Sequence, residues 1–396
     1  MKRVYLDYAA TTPLRTEVLA AMLPYFTENA GNASSLHQTG QRAKRALENA
    51  RQTVATAIGA EPGEIIFTSG GTESDNLALI GTALANRARG NHVMTSSIEH
   101  HAVLNTCQYL ETQGFEATYL PVDRYGVVDL EVLRASLRDD TILISVMLAN
   151  NEVGTIEPVA EIARLVKGRG ILVHSDAIQA VGKAPVRVDD LGVDLLSLTA
   201  HKLNGPKGVG ALYVRRGTPI QPLFHGGHHE HSIRPGTQNV AGIVGLAEAL
   251  RLATQELDTE ARRLEALRAR LEAGILERIP GTVVNGHPSQ HLPNVLNASF
   301  AGVEGESLLL ALDVKGISVS TGSACAAGAT EPSPVLQAMG LPRELALGAL
   351  RFSLGHDTTE EEIDYALDAL VQVVARLRAV SPLYQAENSV VHQTGG

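Results

Sequence analysis

The sequence predicts an α/β fold: a large domain on a largely parallel sheet, joined to a smaller α+β domain. Three observations predict it. Short apolar runs alternate with helical patterns through the first 215 residues, as they do where crossover helices link parallel strands. A long charged helical stretch follows, at about 238–278. Beyond it the pattern changes to short strands mixed with helices.

Strand-like runs occur at 64–68, 92–95, 141–147 and 170–174, and helical stretches at 73–89, 100–113 and 157–169 separate most of them. The runs 194–198 and 209–214 stand too close for a helical crossover. They are antiparallel neighbours or sit apart in the sheet. A turn-rich stretch at 216–237 leads into the long helix. Its second half sets Leu264 and Leu267 at helical spacing among charges, which predicts an amphipathic helix bridging two domains. Segments 295–300, 304–314, 347–354 and 358–378 build the smaller domain. The expected division is 14–260 for the large body and 1–13 with 261–380 for the small one, leaving 381–396 as a polar tail.

Charge and composition narrow the function. Among 396 residues, 33 Lys and Arg stand against 43 Asp and Glu, a net charge of −10. That argues against a protein that coats nucleic acid, because such binding runs on neutralising phosphates. Two cysteines, Cys107 and Cys325, allow at most one disulfide and no CxxC pair. The N-terminal run reaches Asp7 too soon for a signal peptide. No stretch of about 18 apolar residues occurs. The expectation is a soluble cytoplasmic protein with reduced thiols.

Three segments can carry chemistry together. Ser69-Gly70-Gly71-Thr72-Glu73 turns from a strand into a helix. Its N–H groups suit a phosphate or form an ordinary strand–helix turn. The motif lacks the Gly-Lys-Ser/Thr ending of a nucleotide P-loop. An apolar strand runs into Asp176, which can pair with a protonated ring nitrogen or cap a helix. Another strand ends before Thr199-Ala200-His201-Lys202. A lysine in a crevice loses its proton readily and forms Schiff bases, whereas one in a Gly-Pro loop is more often a surface group. A phosphate turn, then an acid, then a lysine, each after a strand, match pyridoxal 5'-phosphate.

At these residues the chain resembles the fold-type I pyridoxal-phosphate enzymes of aminotransferase class V, and more closely the NifS/IscS-type cysteine desulfurases of group I. The resemblance runs from Val4 to Leu383. It includes Gly31-Asn32-Ala33-Ser34-Ser35-Leu36-His37, Glu99-His100-His101, Asn150-Asn151-Glu152 and Arg351-Phe352-Ser353-Leu354-Gly355. It implies a large domain with a mainly parallel seven-stranded sheet, plus a small α+β domain.

By this resemblance Lys202 would bind the cofactor as a Schiff base, and Asp176 would keep the pyridine nitrogen protonated. Gln179 and Asn151 would sit near the phenolic oxygen, and His100 would stack on the ring. Gly71, Thr72, Thr199 and His201 would hold the phosphate; the family more often has Ser where Thr199 stands. Thr237 would reach the phosphate of a neighbouring subunit, implying a homodimer. Arg351 would bind the substrate carboxylate with Asn32 nearby; the alternative for this Arg is a surface salt bridge.

Cys325 decides the reaction. It stands in Ser320-Thr321-Gly322-Ser323-Ala324-Cys325-Ala326-Ala327-Gly328, a small and nearly uncharged run. The run resembles the active-site loop of group I desulfurases, departing at Thr321, and the loop spans about 318–334. The implied reaction converts L-cysteine to L-alanine and leaves the sulfur on Cys325 as a persulfide. Lys202 would remove the α-proton, and His100 would assist protonation. An acceptor for iron–sulfur cluster assembly or for tRNA and cofactor thiolation would then take the sulfur. With a scaffold, Cys325 would transiently coordinate an iron–sulfur cluster.

Cys107, in a helical context, is read as structural. The cluster His225, His228, His229 and His231 has metal-ligating residue types, but relatives carry a His/Gly-rich segment here without a metal, so no resident metal is expected. Three rival readings remain: a selenocysteine lyase, another class V aminotransferase, and a non-catalytic scaffold in sulfur transfer.

Overall fold

The computed structural model describes residues 3–321 and 331–381. Its strands are β1 (Val4–Tyr5), β2 (Ile65–Thr68), β3 (His92–Ser96), β4 (Glu116–Leu120), β5 (Thr141–Ser145), β6 (Leu172–Asp176), β7 (Leu195–Thr199), β8 (Gly210–Val214), β9 (Thr282–Asn285), β10 (Val295–Phe300), β11 (Ile317–Ser318) and β12 (Ala349–Ser353).

Seven strands form one sheet in the order β2-β8-β7-β6-β5-β3-β4. β8 runs antiparallel to both its neighbours, and the other pairs are parallel. The mainly parallel seven-stranded sheet implied by the family resemblance is therefore present. Strands β2, β3, β5, β7 and β8 are buried along their whole length, as a sheet covered on both faces requires. This explains their continuous apolar runs. β7 and β8 form an antiparallel pair with Thr199 opposite Gly210, so the short connection between them places Lys202 at a strand end.

The edge strand β4 has no counterpart among the expected strands. It lies mostly half-exposed and carries mixed polar and apolar residues, so no apolar run marks it. The helix expected at 73–89 begins at Gly71, includes a π-helical turn at Leu77–Gly81 and ends at Asn86.

One helix spans Val240–Arg278, and the Asn239 side chain accepts from the Gly242 N–H at 3.0 Å at its start. Its first part packs Val240, Ile243, Leu246 and Leu250 into the core that holds the large sheet. Its last part packs Leu264, Leu267, Leu271 and Ile275 into a second core with Val4, Leu6, Phe300 and Phe352. Each buried Leu contributes about 1.5–3 kcal/mol, so the helix is fastened at both ends while its middle stays charged. The second core also covers the sheet β12-β10-β9 and the parallel pair β1-β11.

Among the described residues no helix is long and apolar enough to cross a membrane.

Candidate active site

β2, β3, β5, β6 and β7 all point their carboxyl ends to one edge of the large sheet. In such sheets this edge forms the ligand crevice. A cavity of about 320 Å³ lies there.

Each strand delivers a different group to it. The turn after β2 brings Gly71 and Thr72, and the segment after β3 brings Glu99 and His100. Asn151 and Glu152 follow β5, Asp176 closes β6 with Gln179 three residues on, and Thr199, His201 and Lys202 follow β7. Arg351, from β12 in the second core, completes the wall. Gly71 packs closely on Ile178: a Cβ there would stand 2.1 Å from the end of the Ile178 side chain, which would have to move aside. A second recess adjoins the glycine turn, between Gly70, Thr72, Thr199, His201 and Lys207.

Asp176 Oδ1 accepts from the Ile178 N–H at 2.9 Å. Burial raises its carboxyl to about 6, against the Ile178 hydrogen bond and the nearby Lys202 charge. The Lys202 amine donates to the backbone carbonyls of Ala9 and, at 2.6 Å, Ala10. His100 caps the helix His101–Thr112, and its Nδ1 accepts from the Ala102 N–H at 3.1 Å. That bond puts the proton of the neutral ring on Nε2. Burial, then the Lys202 charge, lowers its pKa. His201 falls to about 4 for the same two reasons, in the same order.

Arg351 is 2 % exposed. It donates to Asp7 Oδ1 at 2.9 Å and to the Asn151 carbonyl at 2.8 Å, while its Nε has no partner. Ser320 pairs with Arg351 through two backbone hydrogen bonds, and Pro334 lines the cavity.

Ten of the expected residues meet at the cavity: Gly71, Thr72, His100, Asn151, Asp176, Gln179, Thr199, His201, Lys202 and Arg351. Asn32 and Thr237 do not line it. Both are exposed, and the Asn32 carboxamide is engaged with the Ser34 N–H at 2.9 Å. Cys325 and the tail at 382–396 lie outside the described residues. Cys107 is buried. In the histidine-rich segment, Glu230 turns inward to pair with Arg51 at 2.8 Å, and among the described residues no group of three metal-ligating side chains forms.

Three carboxyls in the cavity wall went unread in the sequence. Glu99 Oε1 accepts from Ser96 Oγ at 2.6 Å and the Met147 N–H at 2.8 Å, and burial pushes it up to about 8. Asp75 lies fully buried with both oxygens lacking a hydrogen-bond partner, 3.7 Å from His174. Burial, then the charge of Asp176, raises its pKa well above the ordinary value. Glu152 accepts from Ser333 Oγ at 2.5 Å. Adjacency was the available signal, since Glu99 precedes His100 and Glu152 follows Asn151.

Residues 4–366 match the family described as Aminotransferase class-V. This chain belongs to the class-V aminotransferase family. Among its relatives, the cysteine desulfurase IscS of Dictyoglomus turgidum is 55% identical over 386 residues, covering 97% of this chain and 98% of that protein. The cysteine desulfurase IscS of Methanosarcina thermophila is also 55% identical, over 98% of this chain and 95% of its own. A solved structure of a NifS-like protein superposes with a TM-score of 0.90 at 43% identity, covering 95% of this chain and all of that one.

Enzymes of this class-V family use pyridoxal 5'-phosphate, and the donor set fits that group. A buried carboxylate and a lysine amine share one cavity, and a glycine turn with hydroxyl and imidazole groups borders the adjoining recess.

Proposed function

We propose that this chain is a cysteine desulfurase in which Cys325 and L-cysteine react to give a Cys325 persulfide and L-alanine. The observation that carries the reading is the meeting of Lys202, Asp176, His100 and Arg351 at one cavity, in a chain 55% identical to cysteine desulfurases over nearly its full length.

Pyridoxal phosphate, when bound, supplies a carbonyl carbon for the substrate amine and a protonated ring that withdraws electrons from the α-carbon. Asp176 would hold the ring-nitrogen proton with its carboxylate. Gly71, Thr72, Thr199 and His201 would hold the phosphate, Gln179 and Asn151 would serve the phenolic oxygen, and His100 would serve the ring. Arg351 binds the substrate carboxylate and so fixes the plane of the α-carbon. Lys202 takes the α-proton as general base. The Cys325 thiolate attacks the substrate sulfur, the carbon–sulfur bond breaks, and the released β-carbon gains a proton from the His100 side of the cavity. Cys325–SH and L-cysteine thus become Cys325–S–SH and L-alanine, with atoms and electrons in balance.

The persulfide passes to a sulfur acceptor of iron–sulfur assembly or thiolation, in the cytoplasm. With an iron–sulfur scaffold, Cys325 transiently binds the cluster. Two of the apolar cores, one almost wholly within 14–260 and one within 1–13 and 261–380, support a large body and a small one with those bounds. The exposure of Thr237, away from its own cavity, supports a homodimer in which it serves the partner's phosphate.

Mass spectrometry of the cofactor-loaded protein after L-cysteine, without reductant, tests the reading. It should find one added sulfur atom on the peptide bearing Cys325. Alanine release with no sulfur on that peptide would refute it.

A further inference from the structure

Behind the reaction cavity lies a smaller one of about 60 Å³, where the N-terminal segment, the long helix and the second core meet. Lys202 forms part of the wall of both cavities, and Lys183 lines the rear one. The reaction described above does not use Lys183. Its Nζ donates to the Gln179 backbone carbonyl at 3.2 Å and to Gln179 Oε1 at 3.3 Å. The Nε2 of the same carboxamide donates to the Ala9 carbonyl at 2.9 Å. That carbonyl also accepts from the Lys202 amine. Two amines are thus joined through one carboxamide and one carbonyl. The turn before Lys183 is tightly set: Gly182 has φ +73°, and a Cβ there would meet Leu203 at 2.6 Å and Ala253 at 2.9 Å.

We propose that Lys183 is a positioning residue, which through Gln179 and the Ala9 carbonyl fixes the Lys202 amine in place and disfavours its protonation. The inference rests on the roles given above to Lys202 and Gln179. Two neighbouring amines each weaken the other's hold on a proton. Burial, then the charges of Lys202 and Arg351, lowers the Lys183 pKa to about 7. The other charged and titratable groups on the rear wall are Tyr8, Arg15, Glu256, Glu260 and His356. Glu256 is paired with Arg15 at 2.7 Å and Glu260 with Arg263 at 2.6 Å, so these carboxylates are already matched by guanidinium groups. Lys183 instead spends its hydrogen bonds on Gln179. A general base must be neutral to take a proton, so Lys183 lowers the pH above which Lys202 works, against the Asp176 carboxylate and beside His100 and His201 on the front wall.

The test compares the full-length, cofactor-loaded wild type with Lys183→Met and Lys183→Arg, titrating against pH the absorbance of the bound cofactor, which reports protonation of the Lys202 nitrogen that carries it. In Lys183→Met the transition should move to higher pH by about one unit, a tenfold change in proton affinity, and the rising limb of kcat/KM should move with it. Lys183→Arg, which keeps the donors and stays charged at every pH tested, should leave the transition at the wild-type pH or move it lower, never higher. A Lys183→Met transition that coincides with wild type in a folded protein would overturn the proposal. If Lys183→Met does not fold, Lys183→Gln, which removes only the charge and keeps a polar side chain, carries the same test with the same two outcomes. Borohydride reduction and peptide mapping of each protein separates the two readings. Label away from Lys202 refutes the functional assignment itself. Label on Lys202 with an unmoved transition refutes the role of Lys183 alone.

Discussion

The Arg351 guanidinium lies 2.9 Å from the Asp7 carboxylate, so the cation at the cavity wall has an anionic partner before any substrate arrives. Both residues stand at the border of the second core, one on β12 and one just past β1. Asn151 takes a second N–H of Arg351 through its carbonyl, and Nε remains buried without a partner. If Arg351 binds the substrate as proposed, an incoming carboxylate would share or displace Asp7.

Asp7→Asn tests that competition. Losing the carboxylate leaves a buried guanidinium short of its counter-charge, which should cost about 1–3 kcal/mol of stability. A substrate carboxylate then becomes the better partner. Thermal melting should fall without substrate and recover more with a non-reactive cysteine analogue than in wild type. Equal recovery in the two proteins would contradict the competition.

Arg351→Lys keeps the charge and removes the planar fork. Loss of a charge-assisted hydrogen bond of about 1.5–3 kcal/mol should lower kcat/KM about 10- to 100-fold, mostly through KM. A change confined to kcat would place Arg351 away from the substrate carboxylate.

Glu99 and Asp176 give the cofactor-free protein a defined response to pH. Burial raises Glu99 to about 8 and Asp176 to about 6, from ordinary values of 4.5 and 3.8. Between the ordinary and the raised value, the folded chain binds more protons than the unfolded one, so stability falls as pH rises. The contribution is present near pH 4 and is lost as pH climbs through about 6 for Asp176 and about 8 for Glu99. Glu99→Gln keeps an acceptor for Ser96 and Met147 and removes the titration. Its melting temperature should drop less than that of wild type between pH 5 and 9; parallel profiles would contradict the burial argument.

Asp176→Asn should still take up cofactor, because the phosphate contacts and Lys202 remain. Turnover should fall on the order of 10²–10³-fold, the scale of losing one preorganised electrostatic contact. Near-normal turnover would show that ring protonation does not depend on this carboxylate.

Much of the architecture was legible because burial on both faces forces unbroken apolar runs, as in β5 and β7. β4 escaped because an edge strand is half-exposed and tolerates Glu116 and Thr118. The candidate site was legible where a residue follows a strand end, as Asp176 and Lys202 do. Asp75 was not, since a lone acid inside a helix start looks solvated until the sheet buries it. Asp7 and Lys183 act through partners hundreds of positions or a full turn away, Arg351 and Gln179, and spacing alone carries no sign of that. Asn32 and Thr237 were placed by resemblance, and a single chain leaves both exposed.

The most direct test mixes cofactor-loaded protein with L-cysteine and a reductant, and measures sulfide and alanine beside Cys325→Ala. The account predicts equal amounts of both from wild type and neither from the variant. Equal and undiminished output from Cys325→Ala, or none from fully loaded wild type, would contradict it.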